Sequence, residues 1–219
     1  MVRSNFENEL RQLHIEIIEL GALVGDAIED SIKAFKNNDF ELCEEIIKND
    51  RIVDEREKMI ESKCLWLIAR EQPIASDLRK ITTALKIASD MERIGDHAAD
   101  IAELTTRIAD KNAFADSSHI PQMAATAIGM VRDAVMSYVN YDLELAKITE
   151  EKDDHADEYF NLIKRELVDV FKTQTQNMDN AVDFLLIAKY LERIADHAVN
   201  ICEWVHFAKT GEHKTTQIF

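Results

Sequence analysis

The stretch Met91-Glu-Arg-Ile-Gly-Asp-His-Ala-Ala-Asp-Ile-Ala-Glu103 recurs one hundred residues later as Leu191-Glu-Arg-Ile-Ala-Asp-His-Ala-Val-Asn-Ile-Cys-Glu203, identical at eight of thirteen positions. Upstream, Leu85, Ile87 and Ala88 return at the same shift as Leu185, Ile187 and Ala188. A second alignment, at a shift of 103, sets Asp39-Phe-Glu-Leu against Asp142-Leu-Glu-Leu, and Asp50 and Asp54 against Asp153 and Asp157. Two segments repeating in the same order define a duplicated unit, here placed at residues 1–114 and 115–219.

Within that unit the apolar period is helical throughout. Leu10, Leu13, Ile17, Leu20, Val24 and Ile28 set the pattern, and it never switches to the alternation of a strand. Breaks fall at Asn37-Asn38-Asp39, Gln72-Pro73, Asp116 to Pro121, Asn140-Tyr141-Asp142, Thr175 to Asn177 and Gly211. Each offers N-cap residues, a first-turn proline or a terminating glycine. The result is an all-α chain of six long helices, folded as two tandem antiparallel three-helix bundles. Rods of roughly 25 to 35 residues would each span about 35 to 50 Å.

Composition agrees and narrows the function. Only 5 glycines and 2 prolines in 219 residues leave few turns for a β-rich fold. A net charge of -16 argues against a nucleic-acid partner, because affinity for a phosphate backbone rests on clustered Lys and Arg. The longest stretch without Lys, Arg, Asp or Glu, Ser117 to Val131, is too short and too polar to cross a bilayer. Met1 to Leu13 alternates charged and apolar residues, unlike a signal peptide. A soluble, cytoplasmic protein without direct membrane insertion is expected. Cys43, Cys64 and Cys202 form no CxxC pair and read as reduced structural thiols.

The chemistry-bearing feature is a set of carboxylates. Glu92 and Asp96 are four apart, one turn from each other on one helix face, and the repeat supplies Glu192 and Asp196. Asp50/Asp54 and Asp153/Asp157 have the same spacing, so each unit offers two acidic pairs from two helices. These acids continue apolar rows, among them Ile81, Leu85 and Ala88 for the first pair and Cys43 and Ile47 for Asp50 and Asp54. Two ionised carboxylates about 4 Å apart repel by roughly 4 kcal/mol at an effective dielectric near 20, and burial adds a desolvation cost. Arg93 and Arg193 follow the glutamates but start about 100° round the helix, so they are expected to neutralise their neighbours poorly. A bound cation resolves the repulsion. An all-oxygen ligand set suits Mg²⁺, Mn²⁺ or iron, with Zn²⁺ also open. Asp100 and its counterpart Asn200 are weaker candidates. His97 and His197 are open to a ligand or a packing role, Asp26 and Asp30 read as solvated surface, and Gly95 and Ala195 read as small residues that let helices approach.

Glu92-Arg-Ile-Gly-Asp-His-Ala and Glu192-Arg-Ile-Ala-Asp-His-Ala, set in a duplicated three-helix unit, closely resemble the PhoU family, and the resemblance covers nearly the whole chain. It implies two similar three-helix bundles whose acidic motifs bind divalent or multinuclear metal. It carries Glu92, Asp96, Glu192 and Asp196 over as ligands, with Asp50, Asp54, Asp153 and Asp157 as the partner helix's share. It also implies a cytoplasmic negative regulator of phosphate uptake and phosphate-starvation signalling, working with the ATPase of the phosphate ABC transporter and a sensor histidine kinase. Asp100 stands where Asn is commoner in the family, and Ala195 replaces the usual Gly, which bears on equal metal occupancy of the two units. A homodimer is expected of such elongated helical modules.

The residues leave two other readings. A di-metal carboxylate oxidoreductase on a helical bundle would need Glu-x-x-His from two helices. Only Glu203 and His206 supply it, since Thr106 stands at the equivalent position. An unmetallated helical scaffold is the other. No nucleophile-base arrangement or phosphate-cradling glycine loop is present, so an enzyme is not expected.

Overall fold

Helix boundaries follow from a few residues that close one rod and open the next. A computed structural model describes residues 2–108, 119–173 and 178–212. Helix α1 (Val2–Asn37) stops where Asn38 adopts φ 56°, and the Asp39 carboxylate accepts the Leu42 N–H at 3.1 Å to start α2 (Phe40–Glu71). Gln72, at φ 47° before Pro73, ends α2, and α3 (Ala75–Arg107) follows. In the second unit α4 (His119–Asn140) gives way at Tyr141, φ 49°, and Asp142 caps the next rod by accepting from Glu144 and Leu145 N–H. The last helix, α7 (Met178–Thr210), ends at Gly211, φ 83°, a left-handed closure that glycine adopts without strain. The break expected at Thr175 to Asn177 and the unit boundary at 114/115 lie outside the described residues, as does the first half of the break at Asp116 to Pro121, whose second half opens α4.

One boundary differs from the sequence reading. The fifth rod is not continuous: α5 (Leu143–Glu151) and α6 (Asp153–Thr173) are separated by Lys152, whose N–H bonds the Thr149 carbonyl at 3.1 Å in a tightened last turn. The Lys152 ammonium reaches the Asp133 carboxylate on α4 at 2.5 Å, a tertiary contact invisible in the period of the sequence. Its equivalent in the first unit, Asn49, sits inside an unbroken α2.

The architecture is two antiparallel three-helix bundles, α1–α2–α3 and α4–α5/α6–α7, joined side by side through α3 and α7 with α1 against α4. The apolar rows meet in one continuous core shared by both bundles. Leu13, Ile17, Leu20, Val24 and Ile28 of α1 are buried at the spacing expected, and Phe35 stands edge-on to Phe184 across the bundles at 5.6 Å. Cys43, Cys64 and Cys202 are buried thiols outside any disulfide, and burial pushes Cys64 and Cys202 up to about 12, so both stay protonated and inert. No described helix is long and apolar enough to cross a membrane.

Because α3 packs against α1, α2 and α7, and α7 against α3, α4 and the α5/α6 rod, their side chains are the least replaceable. Ile87 is fully buried on α3, so Ile87→Ala is expected to cost about 2–5 kcal/mol through lost transfer energy plus the cavity left behind. A denaturant midpoint equal to that of the wild type would contradict this placement.

Candidate metal centre

The first cluster forms where α2 and α3 lie side by side. Asp50, Asp54 and Asp96 bring one carboxylate oxygen each to within 4.8 Å of one another. Glu92 joins them electrostatically: burial raises its pKa, and Asp96 and Asp54 push it further. Burial, together with Asp96, Asp54 and Asp100, holds Asp50 up at about 6. Asp96 is raised by burial and by Asp54 and Asp100, against the pull of Arg93.

The duplicated cluster gathers Asp153, Asp157, Glu192 and Asp196. Burial first, then Asp196 and Asp157, raises Asp153 to about 6, the same value as its counterpart Asp50. Asp196 is raised by burial and by Glu192 and Asp157. The geometry is looser than in the first unit, since among the described residues only Asp50, Asp54 and Asp96 bring three such oxygens within 4.8 Å, and the Lys189 ammonium pairs with Glu192 while resting over the Phe160 ring at 5.4 Å. Ser89 holds the position of Lys189 in the first unit.

Whether these residues suit a cation is tested by their unsatisfied atoms. Asp50 Oδ1 and Asp153 Oδ1 are buried side-chain oxygens with no hydrogen-bond partner, and they are equivalent positions of the two units. An orphaned buried acceptor costs about 1–3 kcal/mol, more when charged. Two such orphans, each in a ring of carboxylates, fit a hard cation taking oxygen ligands.

Other sequence-stretch candidates fall differently. Arg93 does turn back on its own cluster, with contacts of 3.5 Å to Glu92 and 3.6 Å to Asp96, contrary to the expectation from helix angle alone. A long guanidinium arm covers the 100° that the helix imposes. At 59% exposure it screens rather than neutralises. His97, buried, places Nδ1 3.4 Å from Asp100 and stacks on Tyr190, while His197 Nδ1 lies 2.9 Å from Asp90. Both histidines therefore belong to the seam between α3 and α7. Asp100 adds its charge to the first cluster, whereas Asn200 donates to Asp90 at 3.2 Å. Asp26 is exposed and Asp30 half-exposed, as a solvated surface reading expects, and both line a pocket of about 150 Å³ that also reaches Asp50. His206, with Nδ1 3.3 Å from the Glu212 carbonyl, sits about 15 Å along α7 from Asp196, out of reach of the cluster.

Sequence reasoning missed Glu57. Burial, Glu61 and Asp54 raise its pKa, and it feeds charge back onto Glu92. The signal was present, since Glu57 lies three residues after Asp54 on the same face. Its counterpart is Phe160, so comparing the repeats filtered it out. The Gly95 to Ala195 difference also has a packing answer. A Cβ on Gly95 would stand 3.0 Å from Val53 Cγ1. In the second unit the matching pair is Ala195 and Ala156, both fully buried, so a small-plus-large pair is replaced by two intermediate ones.

Residues 17–105 and 120–205 each match the PhoU domain model. The chain belongs to the PhoU family. Among PhoU relatives, the phosphate-specific transport system accessory protein PhoU homolog of Clostridium acetobutylicum is 36% identical over 213 residues, covering 97% of both chains. The crystal structure of the phosphate transport system regulatory protein PhoU from Streptococcus pneumoniae superposes with a TM-score of 0.89 at 31% identity, covering 95% of this chain and 98% of that one. PhoU from Pseudomonas aeruginosa gives 0.90 at 27% identity, covering 94% of this chain and all of its own. The two domain matches coincide with the two bundles, each carrying one carboxylate cluster. PhoU proteins are accessory and regulatory proteins rather than enzymes.

Proposed function

We propose that this chain is an accessory and regulatory protein of phosphate transport whose two carboxylate clusters hold cations. Glu92, Asp96, Glu192 and Asp196 supply ligands from α3 and α7, and Asp50, Asp54, Asp153 and Asp157 supply them from α2 and α6. The observation that carries the metal reading is the pair of orphaned oxygens, Asp50 Oδ1 and Asp153 Oδ1, in equivalent carboxylate rings. The names of its relatives support the transport reading. Iron, Mn²⁺, Mg²⁺ and Zn²⁺ all accept oxygen donors, and the charge count favours an ion of +2 or more or a multinuclear cluster.

In this proposal the protein works in the cytoplasm as a homodimer and as a negative regulator, through the ATPase of the phosphate ABC transporter and a sensor histidine kinase. Cations would lock α2 to α3 and α6 to α7, holding the outer faces rigid for those partners. Deleting the gene is expected to raise alkaline phosphatase at least several-fold in phosphate-rich medium, with repression restored by the wild-type gene and not by the Asp50→Asn/Asp96→Asn/Asp153→Asn/Asp196→Asn form. Unchanged phosphatase in the deletion strain refutes the regulatory role. Full repression by the variant refutes the part given to the cations.

A further inference from the structure

The α3–α7 crossing carries a second kind of charge. His97 opposes Tyr190, Asp90 opposes His197 and Thr83 opposes Trp204, so seven residues back along α3 match seven forward along α7. In this antiparallel register Arg93 comes beside Arg193, at the centre of the duplication. The groove there has a volume of about 610 Å³ and is lined by Arg93, His97, Arg193 and His197 together with the carboxylates of Asp153 and Asp196. In a chain of net charge -16, two guanidiniums and two imidazoles facing one groove are out of keeping with the rest of the surface.

The two guanidiniums are also loosely held. Arg193 makes no ion pair among the described residues, and Arg93 holds Glu92 and Asp96 only at 3.5 and 3.6 Å, well beyond a tight charge-assisted contact of about 2.8 Å. The imidazole centroids stand 5.7 Å apart, and each Nδ1 is engaged by an aspartate, which leaves Nε2 as the free nitrogen.

We infer that this groove binds a small tetrahedral oxyanion, with inorganic phosphate as the fitting chemistry, once cations occupy the carboxylate clusters. The inference rests on the metal reading above. Without cations, Glu92 and Asp96 compete for Arg93, and Asp153 and Asp196 repel an anion from the groove. Cations take over these four carboxylates, release Arg93 and turn the groove net positive. Guanidinium forks from opposite sides match the oxygens of a tetrahedral anion bidentately. The single aliphatic lining residue, Val199, offers no platform for a nucleoside, so a free anion is favoured over a nucleotide.

The test is calorimetric titration of inorganic phosphate, at micromolar concentration, into the Mn²⁺-loaded full chain, with metal content measured on the same sample. Saturable binding is expected, weakened at least tenfold by chelation and at least tenfold by Arg193→Gln, with Arg93→Gln giving a similar loss and Mn²⁺ content not lowered by either. Full Mn²⁺ content without phosphate binding overturns the inference and leaves the metal reading standing. Equal binding by the chelated protein overturns the cation dependence. Undiminished binding by both arginine variants places phosphate on the ions themselves and overturns the groove. Failure to retain Mn²⁺ sinks the metal reading and this inference with it.

Discussion

Replacing Asp50 and Asp96 with asparagine is expected to empty the first cluster, lowering its cation affinity by about 100-fold or more, and to leave the second cluster loaded. Loss of an outer-shell partner alone costs 10- to 100-fold in metal affinity, so removing two charged ligands costs at least the upper figure. The same change has the opposite effect on the metal-free protein. With oxygens brought to within 4.8 Å, two of these carboxylates repel by about 3 kcal/mol at an effective dielectric near 20, before screening by water reduces it. Asparagine keeps the shape, removes the charge and ends the burial of an orphaned anion at Asp50. The variant should therefore melt higher than wild type in chelator and gain less from added Mn²⁺. Metal content by mass spectrometry and melting temperature with and without Mn²⁺ check both halves. Wild-type metal content in a fully folded variant would show that these carboxylates do not hold the ion.

The second large effect is an inversion of pH dependence. Asp50 and Asp153 sit at about 6 in the folded chain, against about 3.9 when unfolded. Between those values the folded state holds more protons, so its stability falls as pH rises, and the loss is complete above about 6. After discounting for solvent screening, each aspartate accounts for roughly 1 to 2 kcal/mol. Half-buried His14 and buried His97 have lowered pKa values and pull the opposite way, so the quantity to measure is the difference between wild type and Asp50→Asn/Asp153→Asn. For a chain of this size that difference should shift by roughly 5 °C in chelator between pH 7.5 and pH 5. Loaded protein behaves conversely: protons compete with the cation for the same oxygens, and stabilisation by Mn²⁺ fades below about pH 6. Scanning calorimetry at pH 5, 6 and 7.5, with chelator and with Mn²⁺, measures both trends. A difference independent of pH in chelator would mean that these aspartates titrate normally and that the rings do not form.

Several features were legible in the chain itself. Duplication, helix count per unit, four of the turns and the acidic pairs all follow from spacing along one rod, where 3.6 residues per turn fixes which side chains share a face. Asp39 and Asp142 announced their caps because a short carboxylate before an apolar period has one local use.

What crosses between rods was not legible. Arg93 turns onto its cluster, Lys189 claims Glu192, Glu57 joins Asp54 and Lys152 breaks the fifth rod toward Asp133, and each depends on which helix lies opposite and how far a flexible arm reaches. Comparing the repeats even concealed some of it, since Val53 with Gly95 becomes Ala156 with Ala195, and Glu57 becomes Phe160. Periodicity determined the rods and the faces they present. Packing alone decided the α3–α7 register that sets Arg93 beside Arg193, because side-chain volumes and contacts across an interface select it from many alignments that the same helical period permits.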